Sequence, residues 1–200
     1  AQPVPFLYIN DSGGAQRRIQ TQRYFRDFSA WYHILAVFER GNGTAAEKLR
    51  LYVNGEEIPA GEMSLDERSS IGGSADPGWN KNGTGCAIGA RSHTNDSLHF
   101  HGYMAEFHNI DGQALTPSSF TQTVDGALVP KEYTGSYGNN GFYLPFGQSN
   151  TAGVGSLNTV GGGNIIHTDS SSYDIAATDD FCIEFWFMSP DLGGDGFASD

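Results

Sequence analysis

Apolar positions along this chain fall into short runs and period-two alternations separated by turn signals, and long helical patterns are not in evidence. Residues 31–38, WYHILAVF, are apolar or aromatic on both alternating faces apart from His33, which predicts a central strand with neither face in open water. Leu49, Leu51 and Val53 then alternate with Arg50 and Tyr52, giving one buried and one wetter face. Asn54-Gly55 follows at once. This dipeptide readily takes the positive backbone angles of a type I′ turn, so a hairpin is expected there, with Ile58 resuming the apolar pattern.

Further along, LHFHGYMAEFHNI has an imperfect phase, because strict alternation puts Met104 on one face and Tyr103 and Phe107 on the other. A bulge near Ala105-Glu106 reconciles them. In LTPSSF, Thr116 is a candidate N-cap and Pro117 a first helical position, which predicts a single helical turn. In FCIEFWFM, Phe181, Ile183, Phe185 and Phe187 share one face while Cys182, Trp186 and Met188 line most of the other, which again predicts a central strand. Residues 1–28 offer one edge strand and little more. Residues 59–85 read as a long polar connection, and residues 147–163, small and glycine-rich, as a flexible linker.

Composition narrows the fold class. Two hundred residues with 38% hydrophobic and 12% aromatic content can bury one good core or parts of two, and 27 glycines among strand-like runs argue for an all-β sandwich or barrel. A formal net charge of −12 opposes binding to phosphate backbones, so no nucleic-acid partner is expected. No run of about 18 apolar residues exists, so no membrane insertion is expected. The opening AQPVPFLYIN lacks the basic start and cleavage site of a signal peptide. Cys86 and Cys182 each lie in apolar, strand-like surroundings and read as free buried thiols rather than a bridge.

The order Trp-Tyr-His-Ile, a polar loop, then Leu-Arg-Leu-Tyr-Val-Asn-Gly resembles the laminin G-like, or concanavalin A-like, jelly-roll modules. HFHGYMAEFHNIDGQALTPSSF (99–120) and VPKEYTGSYGNNGFYLPF (129–146) resemble the version of that module found in tailed-phage virion proteins, especially those of marine phages. The resemblance implies an antiparallel jelly-roll sandwich. It also implies a virion location, other virion subunits as partners, a homo-oligomeric assembly and contact with a host-surface glycan. CAIGARS resembles the short strand before the family's last hairpin, and SSSYDIAATDD resembles the lead-in to the first long strand of such a module.

The chain therefore reads as an incomplete module followed by the start of a second: residues 1–128 the C-terminal portion of a sandwich, 129–146 a post-module segment, 147–163 the linker, and 164–200 the second module's opening. A window on a longer multi-module protein is the preferred explanation. Circular permutation, or exchange of the last strand with a neighbouring subunit, also accommodates the order.

Few residues suggest chemistry. His99, His101 and His108 invite a metal, but no acidic or Cys group stands at a ligand spacing, and histidines on a half-exposed strand face are the preferred reading. His33 is expected to be a hydrogen-bonded core residue. Related sandwiches include laminarinase-type endoglucanases with paired carboxylates on one strand. The nearest cluster here, Glu62, Asp66 and Glu67, reads as a loop with its acids facing apart, and no enzymatic activity is expected.

Trp79, with Asn80 and Asn82, is the candidate sugar-binding group, an indole for stacking and amides for hydroxyls. Folded back, the same indole plugs the sandwich end, and large aromatics are usually mostly buried. Laminin G-like modules often bind calcium at one rim, which raises Asp76, Asn95 and Asp96 as candidate ligands. The leading function is a non-enzymatic virion structural protein, in a tail fibre, appendage or capsid decoration. The alternative is a secreted carbohydrate-binding or adhesion module.

Overall fold

The computed structural model describes residues 6–10, 16–71, 79, 86–89, 100, 102–146, 157–158, 165–167 and 180–189. Its strands are β1 (Phe6–Asn10), β2 (Gln16–Thr21), β3 (Tyr32–Phe38), β4 (Leu49–Val53), β5 (Glu56–Glu57), β6 (Met63–Asp66) and β7 (Cys86–Ile88). They continue as β8 (Tyr103–Asp111), β9 (Thr121–Val124), β10 (Ala127–Pro130), β11 (Phe142–Leu144), β12 (Leu157–Asn158), β13 (Ile165–His167) and β14 (Phe181–Met188). All described helical segments are single 3-10 turns, so the protein is an all-β antiparallel sandwich.

The main sheet has seven strands in the order β11-β8-β14-β3-β4-β5, with β12 also pairing the outer edge of β8. A second sheet, β1-β2-β6, lies across its inner face. Ile19 of β2 joins Ile34, Phe38, Leu49, Leu51, Val53, Phe107, Phe181 and Phe187 in one buried cluster. The outer face of the main sheet is covered as well. Leu35, Val37, Tyr52, Ile110 and Cys182 are buried there against Phe120, with Leu115, Tyr133 and Tyr137 packed around them. A sheet buried on both faces needs strands that are apolar at every position, which explains the near-continuous apolar runs of β3 and β14.

Asn54 and Gly55 take φ of 51° and 81°, as a type I′ turn requires, and they join β4 to β5. Asn54 is fastened from both sides. Its Oδ1 accepts the His33 backbone N–H at 3.0 Å, and its own N–H donates to the His33 carbonyl at 2.9 Å. The expected bulge in β8 is present. Glu184 pairs with His108 and Trp186 with Ala105, so Phe185 alone stands opposite Glu106 and Phe107, and Glu106 has φ of 53°. The extra residue brings Met104 and Phe107 onto the same buried face. Pro117–Ser119 forms the single turn expected there, with Thr116 at its N-cap position.

Three expectations need correction, and one hairpin is added to them. Residues 1–28 supply two strands, β1 and β2, rather than one, because a hairpin lies ahead of the aromatic segment. The polar connection after residue 59 contains β6, which pairs with β2; its half-exposed positions at the edge of a small sheet leave no strong apolar pattern to read. Asp125-Gly126, with φ of 51° and 81°, turns β9 into β10, a second hairpin carried by a readable Asp-Gly pair. Trp31 stands one residue before β3 and is 39% exposed, so the buried strand begins at Tyr32.

β14 occupies the middle of the main sheet, antiparallel to β3 on one side and β8 on the other. Its sequence suggests the opening of a second module, and in this chain it lies in the sheet of the first. Leu157–Asn158, within the glycine-rich stretch, pairs with β8.

Candidate functional site

The residues proposed for sugar or calcium binding divide sharply. Asn80, Asn82, Asp76, Asn95 and Asp96 lie outside the described residues, as do His99 and His101. Trp79 is described and packs, partly buried, against the inner core. Its indole N–H donates to Asn109 Oδ1 at 2.9 Å, and Asn109 is fully buried on β8. The indole N–H is thus engaged inside the sandwich.

The acidic cluster is equally committed. Arg23 meets Glu62 at 2.6 Å, Arg68 meets Asp66 at 2.6 Å, and Arg18 meets Glu67 at 3.2 Å. In each case the hydrogen bond from the guanidinium holds the carboxyl below its ordinary range. Such groups stay ionised and occupied, the reverse of a general acid waiting for a leaving oxygen.

Exposed aromatic surface lies elsewhere, on the connection from β2 to β3. Tyr24 is 47% exposed, Phe28 44% and Trp31 39%. The connection is pinned at several points. Gln22 N–H donates to the Glu62 carbonyl at 2.8 Å, and Arg23 binds Glu62 and Glu56. Phe25, between the exposed residues, turns inward and packs edge-on against Tyr32 at 4.6 Å and Phe187 at 5.1 Å. Asp27 Oδ1 accepts from the Ser29 N–H at 2.9 Å and hydroxyl at 2.7 Å, closing a local turn, and the Asp27 N–H donates to the Tyr32 hydroxyl. Arg26 lies over the Tyr24 ring at 5.8 Å.

Aromatic side chains held out by a buried anchor, with Arg26, Asp27 and Ser29 between them, are equipped to stack on the apolar face of a sugar ring and bond its hydroxyls. The signal for this surface is present in RYFRDFSAW. Aromatic residues are interleaved there with charges, and although Tyr24, Phe28 and Trp31 stand at the i, i+4, i+7 spacing of a helix face, the segment forms no helix. Trp31 reads as core only through its neighbours Tyr32 to Phe38, which are buried or nearly so.

A second constellation is wholly interior. Glu184 of β14 is 1% exposed and stands between two imidazoles on the adjacent strands, with His33 Nε2 at 3.2 Å and His108 Nε2 at 3.7 Å. The angles at His33 and Glu184 fall outside hydrogen-bond geometry among the described residues, and the neighbouring Trp186 N–H has no acceptor there either. His108 Nδ1 meets the Tyr137 hydroxyl at 2.8 Å, and its ring stacks on Tyr143 at 4.4 Å. Tyr143 in turn donates to Glu106 at 2.6 Å. Burial pushes Glu184 well above the usual carboxylate range, with the Glu106 charge adding to the rise, and pulls both imidazoles down to about 4. Burial favours the neutral form of all three groups. His33 is therefore a core residue, but its ring faces a carboxyl rather than a well-formed hydrogen bond. His108 is 3% exposed, which corrects the half-exposed reading: the β11 edge and the Tyr137 segment cover it.

The family model described as the concanavalin A-like lectin/glucanases superfamily matches residues 2–121, more than half of the chain. The chain belongs to this superfamily. The matched span holds both sheets' contributions up to β8 and the turn after it, and it includes the aromatic connection at residues 22–31. Its lectin-like fold is that of a carbohydrate-binding or adhesion module. No characterised protein and no solved structure matches with significance.

Proposed function

We propose that this concanavalin A-like chain is a non-enzymatic structural component of a phage virion, in a tail fibre, appendage or capsid decoration, whose sandwich presents the Tyr24, Phe28 and Trp31 connection to host-surface glycans. The observation that carries the binding reading is the exposure of these three aromatic side chains on a segment fixed by Phe25, Arg23 and Asp27. Single exposed apolar residues are ordinary, whereas three on one pinned connection form a surface that binding can explain. The non-enzymatic reading is supported by the arginine clamps on Glu62, Asp66 and Glu67 and by the burial of Glu184.

The virion location rests on the resemblance of residues 99–146 to tailed-phage proteins. Calcium at Asp76, Asn95 and Asp96, and sugar contacts from Asn80 and Asn82, stay part of the proposal. Screening the protein on a glycan array with and without calcium tests the binding, and no retained glycan in either condition rules against it. Mass spectrometry of purified virions tests the location. Peptides of this chain are expected in intact particles; their absence would favour the secreted adhesion module instead.

A further inference from the structure

The slot filled by β14 separates two blocks, each built from neighbouring segments. β3, β4 and β5 are consecutive in the chain, β8 and β11 flank the β9–β10 hairpin, and β14 joins the two blocks, pairing with both over most of its length. Without a strand there, β3 and β8 would each present an open edge in the centre of the sheet, flanked by buried side chains. β14 comes to the slot from far along the chain, and the strand before it, β13, is separated from it by residues 168–180. An extended connection of that length reaches about 40 Å, more than the length of the strand itself.

The slot also has a chemical preference. Glu184 is the one charged residue of β14, and it meets His33 on one side and His108 on the other. A slip of two residues keeps the faces correct but sets Cys182 or Trp186 opposite His108; the carboxyl then lands either between Val37 and Ile110 or between His33 and Ala105, and in both cases it leaves its place opposite His108. A buried polar residue at one position is a recognised way of fixing register. The slot thus suits this strand better than any other apolar strand of equal length.

We propose that the β3–β8 slot is a strand-acceptor site through which two copies of this chain join, residues 181–188 of each copy filling the slot of the other. Every contact of β14 is the same whichever copy supplies it, so the balance depends on the connection and on the local concentration of copies. Crowding of copies shifts it toward exchange.

The test uses the full chain and the register pair of Ala36 with Ile183. One variant carries Ala36→Cys and a size tag, the other Ile183→Cys; each incubated alone reports the background from the native thiols. The two are mixed at high concentration under mild oxidation and resolved without reductant. A mixed disulfide at least tenfold above background, decreasing on dilution, is expected. The double variant Ala36→Cys/Ile183→Cys provides the contrast. Intrachain closure in the double variant with no mixed product from the pair overturns exchange, and failure of the double variant to close overturns the register on which the proposal stands.

Discussion

At the scale of residues, the Glu184 cluster gives the protein a characteristic response to pH. Glu184 is raised above its ordinary 4.5, so its contribution to stability is full below that value and is lost as pH rises toward its folded value. His33 and His108 are lowered from 6.5 to about 4, so their contribution is present above 6.5 and is lost as pH falls toward 4. The imidazoles thus make stability fall as acid is added below 6.5, and the carboxyl makes it fall as pH rises from 4.5 toward its folded value. Denaturant melts across pH should show both declines, and Glu184→Gln should remove the decline on the alkaline side while leaving the acid one. A profile in which Glu184→Gln changes only the acid side would contradict the assignment.

Asn54 gives a second prediction. It supplies both a positive φ and an acceptor for the His33 N–H, so Asn54→Ala should lower unfolding free energy by about 1–2 kcal/mol. Asn54→Gly, which keeps the turn but loses the acceptor, should cost less. Equilibrium denaturation of the two variants measures the difference.

At the scale of elements, much of the sheet was legible because its chemistry is local. Asn54-Gly55 specifies a turn by backbone preference, the two-faced apolar runs of β3 and β14 specify burial on both sides, and the broken phase around Glu106 specifies a bulge. β6 was harder to read because it is an edge strand of a small sheet, with alternating half-buried and exposed positions and no strong apolar face. The two tryptophans exchanged roles for a related reason. Trp31 follows no rule of its own strand, since it precedes it, and Trp79 is fixed by Asn109, a partner remote in sequence that no local pattern reveals.

The bulge offers a test at this scale. Glu106 holds φ of 53°, a conformation that a β-branched side chain resists. Glu106→Val should be less stable than Glu106→Gly by about 1–2 kcal/mol, measured by urea melts, whereas a regular strand at this point would give the opposite order.

At the scale of the whole molecule, the two proposals fall on different parts. The main sheet is closed by a strand that comes from far along the chain with one buried carboxyl, so the proposed exchange between copies is a matter of connection rather than of new contacts. The aromatic connection between β2 and β3 is anchored by Phe25 and leaves Tyr24, Phe28 and Trp31 exposed. Residues 99–146, which suggest a virion, and residues 22–31, which suggest a binding surface, lie in the same superfamily domain and its immediate continuation.

The most direct test of the binding surface compares two tryptophans of opposite placement. Glycan retention by Trp31→Ala and by Trp79→Ala is measured on the same array beside the thermal midpoint of each. Trp31→Ala should lose retention at least tenfold with its midpoint nearly unchanged, and Trp79→Ala should lower the midpoint by several degrees, as expected when an indole packed on the core and bonded to a buried amide is removed. Retention by Trp31→Ala equal to that of the unaltered protein would contradict the account.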